Sequence, residues 1–285
     1  MIVEKLKENM MKVPTLQELL EAGVHFGHQV RRGHPKMLQY IYGVRDGVHI
    51  LDLEKSEKLL KEAIEYAEKL GKEGKVLLFL GTKKQAQPIV KELAEKVGAP
   101  YVTYRWVGGF LTNFDEVRKN IKKLLDLKEK QEKGELSHYT KKEQLLISKK
   151  LIKFEAELGG ISKLDQLPDA IFIIDTVAEK TAVAEAIRVN LPIIGICDTN
   201  SNPLLINYPI AANDDASKSI KIVTEAVADA YAEGLKSAGK TTVKKQEEAE
   251  KAEAEPEVAA NIAEEVAAAE EEVEKKAVLD SERIV

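Results

Sequence analysis

The sequence predicts an α/β fold: a flavodoxin-like or Rossmann-like layered domain with a parallel sheet, plus an inserted antiparallel helical (coiled-coil) hairpin. Apolar runs such as Val76 to Leu80 are continuous rather than alternating, as in central strands that are buried on both faces. Segments with helical apolar spacing separate these runs, and repeated strand-helix alternation gives a parallel sheet with helices on both faces. A long polar insertion between two of the strands predicts the hairpin.

The elements that precede the sheet are short. Thr15 and Glu18 have the spacing of a capping box and predict a helix. The Asp46-Gly47 pair predicts a hairpin turn between two short strands. An amphipathic helix over about 52–70 then leads into the sheet. The layered domain is completed by strands at 76–80, 101–104, 170–174, 192–197 and 208–210, and by helices at 83–96, 178–189 and 215–235.

Residues 113–160 exceed what a minimal fold of this type needs, and each half of them carries one narrow apolar seam. Two helices with such seams, packed antiparallel, predict a projecting hairpin whose seam residues pack mainly on one another. Between Asp115 and Gly160 there are 12 basic and 9 acidic residues, so the outer surface is moderately cationic. The seam residues are Phe114, Val117, Ile121 and Leu124 in the first half and Ile147, Leu151, Phe154 and Leu158 in the second.

The charge distribution divides the chain into a domain over 1–239 and a tail over 240–285. The formal net charge is −5, but the tail holds 7 basic and 14 acidic residues, which leaves 36 basic and 34 acidic residues in the domain. The acidity therefore belongs to the tail, and the domain is mildly basic. Because the tail is rich in Ala, Glu and Lys and has little to bury, we expect it to be disordered.

Cys197 is the only cysteine, so the chain forms no internal disulfide and a reducing compartment is expected. It lies in an apolar run that starts at Ile193, which indicates a buried structural thiol rather than a nucleophile. No apolar run approaches about 18 residues, so we expect no membrane-spanning helix. The first residues lack the apolar core of a signal peptide, and the cytoplasm is the expected location.

An uncompensated basic segment lies near the N-terminus. Between Val24 and Arg45 there are four Lys/Arg, three His and no acidic residue. Glycines and a proline oppose a helix there. We therefore expect an irregular segment that contacts phosphates through Arg31, Arg32 and Lys36.

A metal site is the alternative for the same segment. His25 and His28 are spaced i, i+3, and His34 and His49 are close to them in the sequence. These histidines have no Cys partners and no clear acidic ligand nearby. They are therefore weak zinc candidates, and loop histidines beside phosphate-facing arginines are favoured.

The stretch from Arg105 to Asn113 contains the only tryptophan, Trp106, and the pair Gly108-Gly109. The glycines permit positive φ and the close approach of a phosphate or another backbone. Asn113, or the threonine before it, is placed to cap the helix that follows. The stretch is a candidate phosphate contact, and its alternative is a loop with a buried anchor tryptophan. Four cations of the next helix are expected near its base: Arg118, Lys119, Lys122 and Lys123.

A layered α/β sheet also raises the possibility of nucleotide chemistry. The loop after the first sheet strand has Gly81 but lacks the further glycines of a phosphate-binding loop, so Lys83 and Lys84 are expected to face solvent or phosphate. Asp175 and Asp198 end two strands and define the alternative, a Mg-dependent phosphoryl-transfer or nucleotide-binding enzyme. These acids also suit turns and helix caps, and no nucleophile-base set accompanies them, so the sequence favours a non-enzyme.

From about Thr15 to Leu235 the chain resembles the ribosomal protein S2 family of the bacterial small ribosomal subunit. The resemblance includes His25 to His28, followed by Arg-Arg and then Pro-Lys-Met. The chain departs from the family at Gly33-His34, where Trp-Asn is usual, and at Ala211-Ala212, where Pro-Gly is usual. Further matching runs are Gly81–Ala86, Arg105–Gly109, Leu158–Ile161, Leu167–Ala170, Asp198–Pro203 and Asn213–Ala216.

This resemblance implies a structural, non-catalytic constituent of the small subunit that is needed for translation. It implies no cofactor, no small-molecule substrate and no membrane contact. Family members contact small-subunit ribosomal RNA and neighbouring ribosomal proteins through basic loops and the helical hairpin, and help to recruit ribosomal protein S1. Such a protein is cytoplasmic and bound to the ribosome. The RNA-binding candidates are Arg31, Arg32, Lys36, Lys83, Lys84, Arg105, Trp106, Gly108, Gly109, Asn113, Arg118, Lys119, Lys122 and Lys123.

Overall fold

A computed structural model describes residues 13–138 and 140–238 of the chain. Strands and helices alternate through most of this length, as the sequence predicts. In chain order the elements are α1 (Leu16–Glu21), β1 (Phe26–Gln29), β2 (Ile41–Arg45), β3 (Val48–Leu51), α2 (Leu53–Lys72), β4 (Leu77–Leu80), α3 (Gln87–Val97), β5 (Tyr101–Val102), α4 (Phe114–Glu132), α5 (Lys141–Leu158), β6 (Ala170–Ile174), α6 (Lys180–Arg188), β7 (Ile193–Cys197), β8 (Tyr208–Ala211) and α7 (217–238). The tail predicted over 240–285 lies outside the described residues.

The N-terminal part forms a small antiparallel sheet with the strand order β1-β3-β2. The capping box of Thr15 and Glu18 starts α1, as predicted. Asp46 and Gly47 turn between β2 and β3 with φ of 52° and 75°, which confirms the hairpin. Strand β1 was not predicted, because its sequence is short and polar and it pairs with β3 across a register irregularity.

Five parallel strands form the central sheet in the order β5-β4-β6-β7-β8. This order corresponds to 2-1-3-4-5 along the chain and is that of a flavodoxin-like sheet, so the predicted fold class is confirmed. Every residue of β4, β6 and β7 is buried. The continuous apolar runs thus reflect helices that cover both faces of the sheet.

The sheet separates two apolar layers. On one face Phe79 and Phe172 pack with side chains of α2, α3 and α7. On the other face Leu80 and Ile173 pack with side chains of α4 and α6. Because successive strand residues point to opposite faces, the same strands serve both layers.

The insertion consists of α4 and α5 and the turn between them. The predicted seam residues are the less exposed ones of both helices, and Lys128 of α4 pairs with Glu155 of α5. Val117, Ile121 and Leu124 belong to a buried cluster that contains Leu158 of α5 as well as residues of the sheet, so packing of the seam mainly on itself remains a prediction. That the two helices form an independent antiparallel coiled coil remains a prediction.

The carboxyl ends of the parallel strands bring polar loops to one edge of the sheet. The loops after β4, β6, β7 and β8 begin near Gly81, Asp175, Asp198 and Ala212. The strand order reverses between β4 and β6, which is the position where flavodoxin-like folds place ligands. None of the helices in the described part of the chain has the length and apolarity that a bilayer-spanning helix needs.

Candidate functional site

Thr199, in the loop after β7, anchors the basic segment 25–36 to the edge of the sheet. The His28 N–H donates a hydrogen bond to Thr199 Oγ1, and the His34 N–H donates to the Thr199 carbonyl oxygen, both at 2.8 Å. A Cβ atom at Gly27 would lie 2.4 Å from the Thr199 side chain, so this approach requires glycine. The segment therefore has a fixed backbone.

The three predicted phosphate contacts of this segment point outward. Arg31, Arg32 and Lys36 are exposed. The Arg31 Nε–H donates to Gln29 Oε1 at 2.9 Å, which is a neutral partner. The segment itself contains no acidic residue, although Arg32 lies near enough to Asp215, in the loop after β8, to help lower the pKa of that carboxyl.

The two zinc candidates of the segment do not come together. The His25 ring packs on Phe26 with centroids 4.1 Å apart, and burial lowers the pKa of His25. His28 Nδ1 lies 3.0 Å from Asp198 Oδ2, and this hydrogen bond raises the pKa of His28 against the opposing effect of burial. Within the described residues, His28 clusters with Asp198 and Asp214 rather than with His25.

Glu185 of α6 organises the glycine-containing loop that precedes α4. Its carboxylate is nearly buried and accepts the Trp106 indole N–H at 3.1 Å and the Gly109 N–H at 2.8 Å on Oε1. Its Oε2 accepts the Leu111 N–H at 3.0 Å and the N–H and hydroxyl of Thr112, both at 3.4 Å. One side chain thus accepts hydrogen bonds from five donors of this loop.

Trp106 is the anchor of the loop rather than part of its outer surface. Only 7% of the residue is exposed, and its ring packs edge-on against Phe110 with centroids 5.0 Å apart. Because both its ring and its N–H are engaged, Trp106 is not placed to contact RNA. The structure therefore corrects the role predicted for it.

The other predicted contacts of this loop remain accessible. Arg105, Gly108 and Asn113 are exposed. Gly109 has a φ of 85°, a left-handed conformation that favours glycine. A Cβ atom at Gly108 would meet nothing within 4 Å, so packing inside the protein does not require glycine there. Asn113 occupies the N-cap position of α4 but makes no side-chain capping hydrogen bond.

The cations at the start of α4 continue this outer surface. Arg118, Lys119, Lys122 and Lys123 are all exposed, as expected from their positions opposite the buried stripe of the helix. Lys119 Nζ lies 2.9 Å from Glu116 Oε2, an exposed pair that neutralises one of the four charges. The group therefore has a net positive charge beside the loop of Arg105.

Lys83 lies inside a cluster of carboxylates at the edge of the sheet. Its Nζ is 2.7 Å from Asp175 Oδ2, 2.7 Å from Asp214 Oδ1 and 2.8 Å from Asp215 Oδ1. Burial alone would lower the pKa of Lys83, and these three partners overcome that effect and raise it. The expectation that Lys83 faces solvent or phosphate is therefore wrong, whereas Lys84 is exposed.

The carboxylates of the enzyme alternative have structural partners. Asp175 Oδ1 accepts the N–H groups of Val177 and Ala178 at 3.0 and 2.8 Å, and its Oδ2 pairs with Lys83. Asp198 Oδ1 accepts the N–H and the hydroxyl of Thr199. Such contacts are those of turns and ion pairs, and they do not free either carboxylate for phosphoryl transfer.

Comparison with known proteins is consistent with this arrangement. The family model described as "Ribosomal protein S2" matches residues 19–234. The chain is 46% identical over 224 residues to small ribosomal subunit protein uS2 of Coprothermobacter proteolyticus, an alignment that covers 79% of this chain and 84% of the relative. It is 44% identical over 220 residues to small ribosomal subunit protein uS2 of Helicobacter hepaticus, with 77% and 83% covered.

An α/β domain with exposed cationic loops is compatible with a structural nucleic-acid-binding protein. The chain belongs to the ribosomal protein S2 family. This family is structural and non-enzymatic, so the alternative of a phosphoryl-transfer enzyme that uses Asp175 and Asp198 is not supported.

Two residues of the site were not predicted from the sequence. Glu185 lies among Ala182, Val183 and Ala186 on the buried face of α6, and an acidic residue on an apolar face is the signal that could have identified it. Thr199 carries no comparable local signal. Thr199 anchors the basic segment through His28, which lies 171 positions earlier in the chain.

Proposed function

We propose that the protein is a structural constituent of the small ribosomal subunit and binds small-subunit ribosomal RNA through two cationic surfaces. The first surface consists of Arg31, Arg32 and Lys36. The second consists of Arg105, the backbone at Gly108 and the exposed cations at the start of α4. The proposal places the protein in the cytoplasm, where bacterial ribosomes work, and it requires no cofactor.

The observation that carries this proposal is the contrast between two sets of cations. Lys83 is neutralised by carboxylates within the protein, whereas Arg31, Arg32 and Lys36 are exposed on a segment without acids. A fixed backbone that presents exposed cations is suited to phosphate binding, because little ordering is needed when the RNA binds.

Salt dependence of RNA binding tests the first surface. A variant with Arg31, Arg32 and Lys36 changed to Gln is compared with the wild type on small-subunit ribosomal RNA across a range of salt concentrations. We expect weaker binding and a log–log slope that is shallower by up to about 0.7–0.9 for each lost phosphate contact, if DNA values transfer.

A matched control removes the same number of charges elsewhere. Lys58, Lys61 and Lys69 are exposed on α2, away from both surfaces, and are changed to Gln together. The control should retain most of the slope and affinity of the wild type. Equal losses in both variants would show that only the net charge matters and would contradict the proposed surface.

We infer a further partner, ribosomal protein S1, from the resemblance to the S2 family. Strand β2 of the small sheet and the segment before it offer apolar surface of the kind that a protein partner covers, since Leu38, Tyr42 and Val44 are 63%, 82% and 57% exposed. A variant with Tyr42 and Val44 changed to Ser should incorporate into small subunits but retain less S1. Normal S1 content in those subunits would argue against this surface.

A further inference from the structure

Three side chains that can bind a metal ion meet at the edge of the parallel sheet. His28 comes from β1, Asp198 from the loop after β7 and Asp214 from the loop after β8. Ligand atoms of the three residues all lie within 4.8 Å of one another. The three residues come from the small sheet and from two loops of the parallel sheet. The group therefore has no local sequence motif by which it could be predicted.

The two carboxylates each have one oxygen held by the protein and one directed elsewhere. Asp198 Oδ1 accepts hydrogen bonds from Thr199, and Asp214 Oδ1 pairs with the Lys83 ammonium at 2.7 Å. Asp198 Oδ2 lies 3.0 Å from His28 Nδ1. Asp214 has no exposed surface. Its Oδ2 has no hydrogen-bond partner among the described residues and cannot be hydrated from the bulk solvent.

An unpartnered carboxylate oxygen in this position is costly. Burying a carboxylate oxygen without a hydrogen bond is unfavourable, and the Lys83 ammonium on the other oxygen of Asp214 is shared with Asp175 and Asp215. Asp175, Asp198, Asp214 and Asp215 contribute four carboxylates, whereas Lys83 pairs with three of them and Arg32 adds one further positive charge that acts on Asp215. Even with a charged His28, the cluster carries more negative than positive charge.

We propose that His28, Asp198 and Asp214 bind one divalent cation of the zinc type. An imidazole nitrogen together with carboxylate oxygens is a donor set that Zn²⁺ accepts, whereas Mg²⁺ and Ca²⁺ prefer oxygen alone. Thr199 and Lys83 already orient the two carboxylates through their other oxygens, as outer-shell partners do in metal sites. The cation supplies the charge and the partner that Asp214 Oδ2 lacks.

Such a cation joins the N-terminal segment to the loops of the parallel sheet. His28 precedes Arg31 and Arg32 by only a few residues, so the ion also restrains the cationic surface proposed above. The site differs from the zinc pair expected from the sequence, because the partners of His28 are two aspartates and not His25. Metal binding itself does not require that the protein binds RNA.

The test measures zinc binding by the purified full chain. The protein is stripped with EDTA, exchanged into metal-free buffer, and titrated with ZnCl₂ by calorimetry, and the zinc retained after gel filtration is counted. We expect one equivalent of Zn²⁺ per chain. His28→Ala and Asp214→Asn should each weaken zinc binding at least about 100-fold, because loss of an outer-shell partner alone costs 10- to 100-fold.

The matched control is His138→Ala, which removes an exposed histidine from the turn between α4 and α5 and should bind zinc like the wild type. Circular dichroism checks that each variant is folded. If Asp214→Asn does not fold, His28→Ala carries the test, because the His28 side chain is partly exposed.

Two results would overturn the proposal. The first is a wild-type chain that retains no more zinc than His28→Ala, either because no zinc is bound or because it is bound elsewhere. The second is a site that binds Mg²⁺ but not Zn²⁺, since that would contradict the mixed nitrogen and oxygen donor set.

Discussion

Lys83 Nζ lies 2.7 Å from Asp214 Oδ1, and this ion pair joins the loop after β4 to the loop after β8, the first and last strands of the parallel sheet in chain order. The two residues are 131 positions apart in the chain. A lysine that precedes a helix in an α/β fold would ordinarily be considered for phosphate binding. Here the surrounding carboxylates give it a structural role instead.

The first prediction compares Lys83 with its exposed neighbour Lys84. Lys83→Met should reduce the free energy of unfolding by about 3 kcal/mol or more, because it leaves buried carboxylates without their counter-charge. Lys84→Met should leave stability within about 0.5 kcal/mol of the wild type, as expected for a surface change. Urea denaturation followed by circular dichroism measures both. Similar stability of the two variants would mean that the ion pairs around Lys83 contribute little.

The second prediction concerns Glu185. Glu185→Ala should reduce the free energy of unfolding by about 3 kcal/mol, because several buried donors lose their acceptor at once. Tryptophan fluorescence should also shift to longer wavelength, since Trp106 is the only tryptophan and loses its anchor. The matched control is Glu92→Gln on the exposed face of α3, which should change neither property. An unchanged emission maximum in Glu185→Ala would show that the loop keeps its conformation without this carboxylate.

The third prediction separates packing from RNA contact at Gly108. A Cβ atom fits there without a clash, so Gly108→Val should fold with nearly wild-type stability. Its side chain would stand between the backbone and an approaching phosphate, and RNA binding should weaken. Gly43→Val is the control, because a Cβ atom at Gly43 also meets nothing within 4 Å. Normal RNA binding by Gly108→Val would exclude this part of the loop from the interface.

The fourth prediction tests how the insertion is attached. Ile121 is 4% exposed and belongs to the buried cluster that includes sheet residues, whereas Ile152 is 70% exposed. Ile121→Ala should therefore cost about 2–5 kcal/mol of stability, and Ile152→Ala should cost almost nothing. Thermal and urea denaturation provide the measurement. Equal, small effects would mean that α4 is independent of the core after all.

The fifth prediction concerns the single thiol. Burial raises the pKa of Cys197 to about 12. At pH 8 this lowers the thiolate fraction on the order of 1000-fold relative to an exposed cysteine with a pKa of about 8.5. Ellman's reagent should react correspondingly slowly with the native protein and rapidly with the protein unfolded in guanidinium. Comparable rates would show that the thiol is accessible in the native state.

The parallel sheet could be predicted from the sequence because its signals are local. Apolar runs such as 170–174 identify strands without reference to the rest of the chain, and helices with apolar stripes identify the layers that cover them. The exposed cations of the basic segment could be predicted for the same reason. Residues 24–45 contain no acidic side chain that could pair with these cations locally, so their exposure could be expected from the sequence alone.

The buried polar contacts could not be predicted in this way. Lys83 has a charged environment only because three distant loops meet at one edge of the sheet, and none of the acids lies near it in the sequence. Glu185 and Trp106 are likewise distant in the chain. How the α4 seam divides its contacts between α5 and the sheet could not be predicted, because the seam has the same spacing in both cases.

The dependence of the glycine-containing loop on Glu185 has a consequence during synthesis of the chain. Glu185 lies 79 residues downstream of Trp106, so the loop leaves the ribosomal exit tunnel before the carboxylate that organises it has been made. An unfinished chain that ends before α6 contains every exposed residue of the loop but lacks the acceptor that holds its backbone in place. Such a chain is poorly suited to occupy the RNA site of a new subunit ahead of the completed protein.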